Sequence, residues 1–208
     1  MATALTHAVM ALPFAPRDSD GKVCKTALAI GALLAVAPDV DVLWWRLLPG
    51  GHMLNHRGLT HSLLVAVVVG TLAAALARRL VRAPLDPRLS LYLVACMVSH
   101  GLLDTFTRSA LGVALLAPFD DTRYLAPVRF ISAAWIAPLR ALSHDHIAIL
   151  GQELLWIWAP AVAIFVARGA LTRHRRLSSL VPGGSVYNRL AVAPVAGAAS
   201  DQDPGRGR

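Results

Sequence analysis

The sequence predicts an all-α fold, an integral membrane bundle of about four transmembrane helices. Composition and the spacing of apolar runs support this prediction. Of the 208 residues, 56% are hydrophobic and only 15% are charged, and the mean hydropathy is +0.55. Charged residues make up about a quarter of an ordinary soluble domain. Long runs of Ala, Val and Leu separated by Arg and Lys therefore favour a membrane protein.

Four apolar segments are the candidate transmembrane helices, and they are residues 26–45, 59–76, 89–103 and 147–166. A straight crossing of the bilayer needs about 20 apolar residues, and several of these segments are shorter. Polar groups at their ends should therefore lie near the membrane interface or in a shared cavity. Residues 1–176 are predicted to form one membrane-embedded domain. Residues 177–208, rich in Gly, Pro, Ala and Ser, are predicted to be a disordered tail.

The basic residues predict partners and orientation. The net charge is +8, but the basic residues are scattered between apolar segments, so we expect anionic lipid head groups as partners and no nucleic acid. Cytoplasmic connections carry the positive excess in membrane proteins. In a four-helix model, three basic groups share one side: 17–25, 78–88 and 168–176. Both termini are then cytoplasmic, and the connections 46–58 and 105–146 face outward. The sequence does not define the oligomeric state.

The first polar cluster, Asp39 and Asp41 in "APDVDVLWW", lies at the end of the first apolar segment. Two carboxylates two residues apart repel each other unless a cation or hydrogen-bond donors lie between them. The structural alternative is a polar helix end at the interface, with Trp44 and Trp45 as an aromatic belt.

The second cluster is "NHRGLTHS", where the second apolar segment begins. His56 and His61 are too far apart for one face of a straight helix, but a loop-to-helix turn between them would bring both imidazoles to one point. Thr60 or Ser62 can cap the helix that follows. Arg57 is a planar donor suited to a phosphate or a carboxylate. An interfacial loop whose histidines bind water is the alternative.

The third cluster, "SHGLLDTFT", gives the sharpest local pattern. His100 and Asp104 are spaced i, i+4 and project from one helix face. Two ligands of one metal have this spacing, and so does a carboxylate that orients an imidazole. Such residues at the end of an apolar helix are costly unless they are paired or bind an ion. The alternative is a purely structural His–Asp pair.

Two weaker features complete the set. The stretch "APFDDTRYLAPVRF" places Arg123 and other charged residues among prolines, and it suits a substrate-binding loop or a solvated loop equally well. Glu153 is a lone acid that enters the fourth segment, so it should face the bundle interior or lie at its mouth. Arg129 is as plausible a partner for Glu153 as a metal ion.

In the topology derived from Arg and Lys, three histidines and three aspartates fall at the same membrane face: Asp39, Asp41, His56, His61, His100 and Asp104. Nitrogen and oxygen ligands without a thiolate are typical of zinc or manganese in hydrolytic sites. We therefore expect one to three divalent ions, with zinc as the first candidate and manganese as the second, which would neutralise the carboxylates and activate a water.

The order "TH", "PDVD", "HRGLTHS", "HGLLD", "PF…RY…P" and a late "E…W" helix resembles the YdjM family of bacterial inner-membrane proteins, described as membrane-bound metal-dependent hydrolases. The resemblance covers residues 6–160. It implies a multi-pass protein of the bacterial cytoplasmic membrane. It also implies seven metal-site residues and three supporting catalytic residues: His7, Asp39, Asp41, His56, His61, His100 and Asp104, with Arg57, Arg123 and Glu153.

The family is in turn distantly similar to zinc-dependent phospholipase C, which implies a phosphoester substrate. His7 precedes the basic stretch 17–25, so the charge-derived topology puts it on the cytoplasmic side unless residues 3–14 re-enter from the outward side.

The expected function is a membrane-bound metal-dependent hydrolase that cleaves a phosphoester or other ester of a lipid-associated substrate through a metal-activated water, with Arg57 or Arg123 holding the anion. Two alternatives use the same residues. One is a divalent-ion or proton transporter, which would need polar residues through the membrane depth. The other is a non-catalytic membrane protein with a structural metal site.

Overall fold

The computed structural model describes residues 2–18, 20–44, 47–49, 52–81, 87–132 and 144–180. Within these ranges the chain is helical and has no β-strand, only isolated bridges between loop residues. The all-α prediction is therefore confirmed for this part of the chain. The α-helices are α1 (Ala4–Val9), α2 (Lys25–Val36), α3 (Leu63–Val81), α4 (Pro87–Thr105), α5 (His144–Glu153) and α6 (Ala159–Leu180).

Three shorter helical turns connect or extend these helices. A 3-10 helix, Ala37–Leu43, continues α2. A 3-10 turn, Leu59–His61, precedes α3. A π-helical turn, Leu154–Trp158, joins α5 to α6.

Two stretches of the described chain are long and apolar enough to cross a bilayer, Lys25–Leu43 and Ile147–Ser178. They correspond to the first and fourth predicted segments. The second and third segments form α3 and α4, helices of 19 residues each. The structure therefore supports two membrane-crossing helices by length and composition, and the count of four stays a prediction.

Small residues allow the helices to approach closely. Gly70 on α3 faces α4, and a Cβ atom at this position would lie 2.7 Å from the Cα of Val94. Between α2 and α4, the core contains Ala27, Ala35 and Leu93. Such packing aligns the C-terminal end of α2, the start of α3 and the C-terminal end of α4 at one end of the bundle, which we call the site end.

The N-terminal segment runs along the bundle, starting from the site end. His7 stacks on the ring of His100, with centroids 3.7 Å apart. Farther along, the Tyr92 hydroxyl donates to the carbonyl of Ala11 (3.1 Å), and Arg17 donates to the carbonyl of Phe165 (2.8 Å). The first turn of the chain therefore lies beside the polar clusters, as the re-entrant alternative requires, and the side of the membrane on which it lies stays a prediction.

The connection after α4 folds over the site end. The amide of Ala126 donates to the carbonyl of Thr105 (3.0 Å), and the amide of Leu63 donates to the carbonyl of Leu115 (2.9 Å). This loop therefore ties the end of α4 to the start of α3. At the other chain terminus, α6 continues to Leu180, so the predicted disordered tail begins as helix. Residues 181–208 lie outside the described ranges.

Candidate metal centre

Four side chains from three elements meet at the centre of the site end. The 3-10 helix after α2 supplies Asp39, the turn before α3 supplies His61, and α4 supplies His100 and Asp104. Their ligand atoms all lie within 4.8 Å of one another. We call Asp39, His61, His100 and Asp104 the ligand group.

The distances within the ligand group are short. Oδ1 of Asp39 lies 3.3 Å from Nε2 of His100 and 3.6 Å from Nε2 of His61. Oδ2 of Asp104 lies 3.8 Å from Nε2 of His61. The two Nε2 atoms themselves are 3.1 Å apart. The group therefore has two nitrogen and two carboxylate donors around one point.

Partners on the far side of each ring fix the two imidazoles. Nδ1 of His100 lies 2.7 Å from the carbonyl oxygen of Ala35. Because a carbonyl oxygen only accepts hydrogen bonds, Nδ1 of His100 carries a proton. In the neutral ring, Nε2 then has the free lone pair. Nδ1 of His61 similarly faces a carboxylate, at 3.2 Å from Oδ2 of Asp41. Histidines that bind metals almost always have such an outer partner on the second nitrogen.

The carboxylates of the ligand group lack hydrogen bonds. None of the four oxygens of Asp39 and Asp104 has a hydrogen-bond partner, although all are buried. Burying an unpaired carboxylate is costly, so such groups are normally hydrogen-bonded or bind a cation. Two facing ring nitrogens and two carboxylates without hydrogen bonds fit a divalent cation held by nitrogen and oxygen donors.

The electrostatics of the site favour a cation as well. Asp39 and Asp41 surround His61 with negative charge, since Oδ1 of Asp39 lies 3.6 Å from its Nε2 and Oδ2 of Asp41 lies 3.2 Å from its Nδ1. For His7, burial and then the charge of His100 lower the pKa to about 4. The ring of His7 is therefore neutral near pH 7.

His7 lies beside the ligand group but is not one of its four members. Its Nε2 is 3.6 Å from Oδ1 of Asp104. The side chain is fully buried, and neither ring nitrogen has a hydrogen-bond partner. The structure therefore brings this predicted residue to the edge of the site with an unsatisfied ring.

Asp41 differs from the other two aspartates because its oxygens are satisfied. Oδ1 lies 2.7 Å from Nδ1 of His56. Oδ2 accepts hydrogen bonds from the hydroxyl of Thr60 (2.7 Å) and the amide of Arg57 (3.2 Å). Asp41, His56 and His61 form a second possible metal group, but His61 would have to serve both groups. The metal-site role of Asp41 and His56 stays a prediction, and their hydrogen bonds suit outer partners of the ligand group equally well.

The side chain of Arg57 points into the protein. The residue has a φ of 61°, its side chain is 1% exposed, and its Nε lies 3.1 Å from Oδ2 of Asp104. The guanidinium also donates to the carbonyl of Leu111 and the hydroxyl of Thr107, both at 2.8 Å. Arg57 therefore orients Asp104, and its role as a clamp for a substrate anion stays a prediction.

Arg123 is also engaged with the protein itself. Its Nη1 donates to the carbonyls of His56 (3.3 Å), Arg57 (3.3 Å) and Gly112 (3.2 Å). The guanidinium thus fastens the loop after α4 to the "NHRG" turn. The role of Arg123 in holding the substrate anion stays a prediction.

Glu153 contacts neither the ligand group nor Arg129. Its carboxylate accepts hydrogen bonds from the amide and hydroxyl of Thr3 and from the hydroxyl of Thr6. Arg129 instead donates to the carbonyl of Ser109 (3.3 Å). The sequence analysis assigned no role to Thr3 or Thr6. Their position just before His7, with Thr6 in the "TH" motif, was the available signal.

Fold and site together define an all-helical protein with two helices of bilayer length and a buried Asp/His cluster at one end of the bundle. The chain belongs to the YdjM inner membrane protein family, whose model matches residues 1–175. Inner membrane protein YbcI of Escherichia coli (strain K12) is 35% identical over 177 residues, which cover 85% of this chain and 100% of that relative. No solved structure matches the chain.

These comparisons confirm the resemblance seen in the motifs. The names of the family and of the relative both indicate the bacterial inner membrane as the location.

Proposed function

We propose that this protein is a metal-dependent hydrolase of the bacterial inner membrane that acts on a phosphoester or other ester of a lipid-associated substrate. In this proposal α3 and α4 also cross the bilayer, which makes the protein multi-pass. Asp39, His61, His100 and Asp104 hold one divalent ion. The observation that carries the proposal is the pair of facing Nε2 atoms, 3.1 Å apart, beside two carboxylates without hydrogen bonds.

Zinc is the first candidate for the ion, and manganese is the second. Zinc binds imidazole and carboxylate ligands at about 2.0–2.2 Å, so two ligands of a tetrahedral ion lie about 3.3 Å apart. The Nε2–Nε2 separation of 3.1 Å is close to this value. Carboxylate oxygens also suit manganese. Neither cysteine belongs to the ligand group.

A divalent ion bound here would supply Lewis acidity and lower the pKa of a bound water. The protein's own groups have separate tasks. Asp41 fixes the ring of His61, and Arg57 fixes the carboxylate of Asp104. His56, which is 14% exposed, lies 2.7 Å from Oδ1 of Asp41 and holds that carboxylate in turn.

The surroundings of the site support a lipid-associated substrate. Leu43, Leu47 and Phe119, on segments that border the ligand group, are 80%, 81% and 83% exposed. Apolar side chains exposed to this degree are stable when they contact acyl chains. At the opposite end of the bundle, Arg78 and Arg79 near the end of α3 are suited to anionic lipid head groups.

An ion or proton pathway is the competing function, because buried ionisable residues also line transport routes. Such a pathway needs polar groups at several depths. Along α3 the ionisable residues are Arg78 and Arg79, far from the site end. The clustering of acids and imidazoles at one end therefore favours hydrolysis over transport.

The test is hydrolysis by the full chain purified in a mild detergent. The purified protein is loaded with zinc or with manganese and assayed against phosphomonoesters, phosphodiesters, phospholipids and carboxylic esters. We expect turnover of at least one phosphoester, its loss in His100→Ala, and its retention in His52→Ala, which changes an exposed histidine outside the ligand group. Equal rates in His100→Ala and the unmodified protein would contradict the proposal.

A further inference from the structure

We infer that Glu153 and Trp158 are positioning residues of the metal centre, which act through Thr3 and Thr6 to hold His7 against Asp104. Neither residue touches the ligand group. The inference rests on the metal site of the proposed function, but it does not depend on the substrate or on the reaction.

The contacts form a short chain from α5 to His7. Oε1 of Glu153 accepts the Thr3 amide (2.7 Å), and its Oε2 accepts the hydroxyls of Thr3 (2.6 Å) and Thr6 (2.7 Å). The indole nitrogen of Trp158 donates to the same Thr6 hydroxyl (2.6 Å). Thr3 also caps α1, since its hydroxyl accepts the amide of Thr6 (3.3 Å). One carboxylate and one indole therefore fix the first turn of α1.

The π-helical turn Leu154–Trp158 explains how two residues five apart reach one hydroxyl. In a regular α-helix, residues five apart point about 140° away from each other. A π-helical turn closes on i→i+5 hydrogen bonds, which brings residues five apart onto the same face. Single π-turns inside α-helices are often found at functional sites. Here the turn aims Glu153 and Trp158 together at Thr6.

The residue that this arrangement orients is His7, which directly follows Thr6. Its ring stacks on His100 at 3.7 Å with an interplanar angle of 17°. Its Nε2 faces Oδ1 of Asp104 at 3.6 Å. Both ring nitrogens lack a hydrogen-bond partner. The covalent chain and the stacked ring make any shift of Thr6 a shift of His7 relative to Asp104.

Packing alone does not explain why an acid occupies position 153. Glu153 is 1% exposed, and a buried carboxylate is costly wherever an uncharged residue could replace it. A carboxylate accepts hydrogen bonds only, so it requires all three N–H and O–H groups of Thr3 and Thr6 to point toward it. It thereby fixes one orientation of the N-terminal turn.

The expected effect of Glu153→Gln is a drop in zinc affinity of up to about 10-fold, the low end of the loss caused by removing a direct outer partner, because Glu153 acts only through Thr3, Thr6 and His7. The amide of Gln can keep part of the contact with Thr3, but its NH₂ group cannot accept the Thr6 hydroxyl. Thr6→Val, which keeps the side-chain shape and removes the hydroxyl, should lower the affinity in the same direction. Leu155→Ala is the matched control, because Leu155 lies in the same π-helical turn and is 65% exposed.

A double-mutant cycle on the full chain in detergent tests the inference. Zinc affinity is measured by competition with a chromophoric chelator for the unmodified protein, Glu153→Gln, His7→Ala and the double variant. If Glu153 acts through His7, the two effects are not additive, and Glu153→Gln has no further effect once His7 is Ala. The visible absorption spectrum of bound Co²⁺ should also change in the same way in Glu153→Gln and in His7→Ala, while Leu155→Ala keeps the original spectrum.

The positioning role of Glu153 and the metal site itself can fail separately, and each failure has its own result. Additive losses of affinity, or a Co²⁺ spectrum that changes in His7→Ala but not in Glu153→Gln, would overturn the positioning role and leave the metal site intact. Failure of the unmodified protein to bind zinc or Co²⁺ would overturn the metal site of the proposed function and this inference together. If Glu153→Gln does not fold, Trp158→Phe replaces it in the same cycle, since this change removes the N–H donor to Thr6 and keeps an aromatic ring.

Discussion

Asp39 and Asp41 lie on the same 3-10 helix, two residues apart, yet their surroundings differ completely. Asp41 contacts His56, Thr60 and the amide of Arg57, and no oxygen is left without a partner. Asp39 faces the imidazoles of His61 and His100, and neither of its oxygens has a hydrogen bond. Complete hydrogen bonding therefore distinguishes the supporting carboxylate of Asp41 from the candidate ligand Asp39, although both lie close to the imidazoles.

Asp104 on α4 resembles Asp39, because its carboxylate oxygens also lack hydrogen bonds. Asp104 has an ion pair with Arg57 but no hydrogen bond, and the two Nε2 atoms of His61 and His100 face each other. One half of the site end is a saturated hydrogen-bond network built on the "NHRGLTHS" turn. The other half consists of the carboxylates of Asp39 and Asp104, which lack hydrogen bonds, and the facing Nε2 atoms of the two imidazoles. The substitutions that follow change residues of one half or the other.

The largest expected effect follows from removing the charge that Arg57 places beside Asp104. Arg57→Met leaves a buried carboxylate without its counter-ion, which costs about 3–5 kcal/mol in comparable cases. We expect a large drop in thermal stability in detergent, and partial recovery of that stability when zinc is added, because the ion compensates the same charge. An unchanged melting temperature would contradict the ion pair.

The next effect concerns the outer partner of His61. Asp41→Asn keeps the size of the side chain but weakens its contacts with His56 and His61, so zinc affinity should fall by about 10–100-fold. Because the ligand group is intact, zinc should still bind at saturation with the same stoichiometry. Isothermal titration with zinc measures both quantities, and a loss of stoichiometry would make Asp41 a ligand.

A smaller loss of stability is expected from adding a side chain where α4 contacts the turn before α3. A Cβ atom on Gly101 would lie 2.6 Å from the carbonyl oxygen of His61. Gly101→Ala should therefore displace His61 and destabilise the protein by about 1–3 kcal/mol, as overpacked sites do. Gly151→Ala is the control, since a Cβ atom at Gly151 has no neighbour within 4 Å. Equal thermal stability of the two variants would argue against the close approach.

The smallest effect is expected at the start of α3. The Ser62 hydroxyl accepts the amide of Val65 (3.2 Å), as a helix-capping side chain does. Ser62→Ala should cost about 0.5–2 kcal/mol of stability and leave zinc affinity within a factor of a few. A large loss of zinc affinity would mean that the cap also positions His61.

The sequence predicted which residues meet, because helix geometry controls that outcome. The i, i+4 spacing places His100 and Asp104 on one face of α4. The chain reversals between α2, α3 and α4 bring Asp39 and His61 to the same end. For the same reason, the predicted capping of α3 by Ser62 is found in the structure.

The contacts of the charged residues could not be predicted, because they depend on loop conformation and on distant parts of the chain. A φ of 61° at Arg57 turns its side chain inward, and nothing in the local sequence indicates this. The partners of Glu153, at Thr3 and Thr6, lie about 150 residues away in the chain. Basic-residue counting also does not predict that His7 lies beside His100, since it ignores a short segment that returns along the helices.

The metal content of the purified protein tests whether Asp39, His61, His100 and Asp104 hold a divalent ion. The full chain, Asp39→Asn and Asp41→Asn are each saturated with zinc, freed of excess ion, and analysed for bound zinc per chain. We expect one zinc ion per chain in the unmodified protein and in Asp41→Asn, and a loss of most of the bound zinc in Asp39→Asn. Equal zinc content in Asp39→Asn and the unmodified protein, or no bound zinc in the unmodified protein, would contradict this expectation.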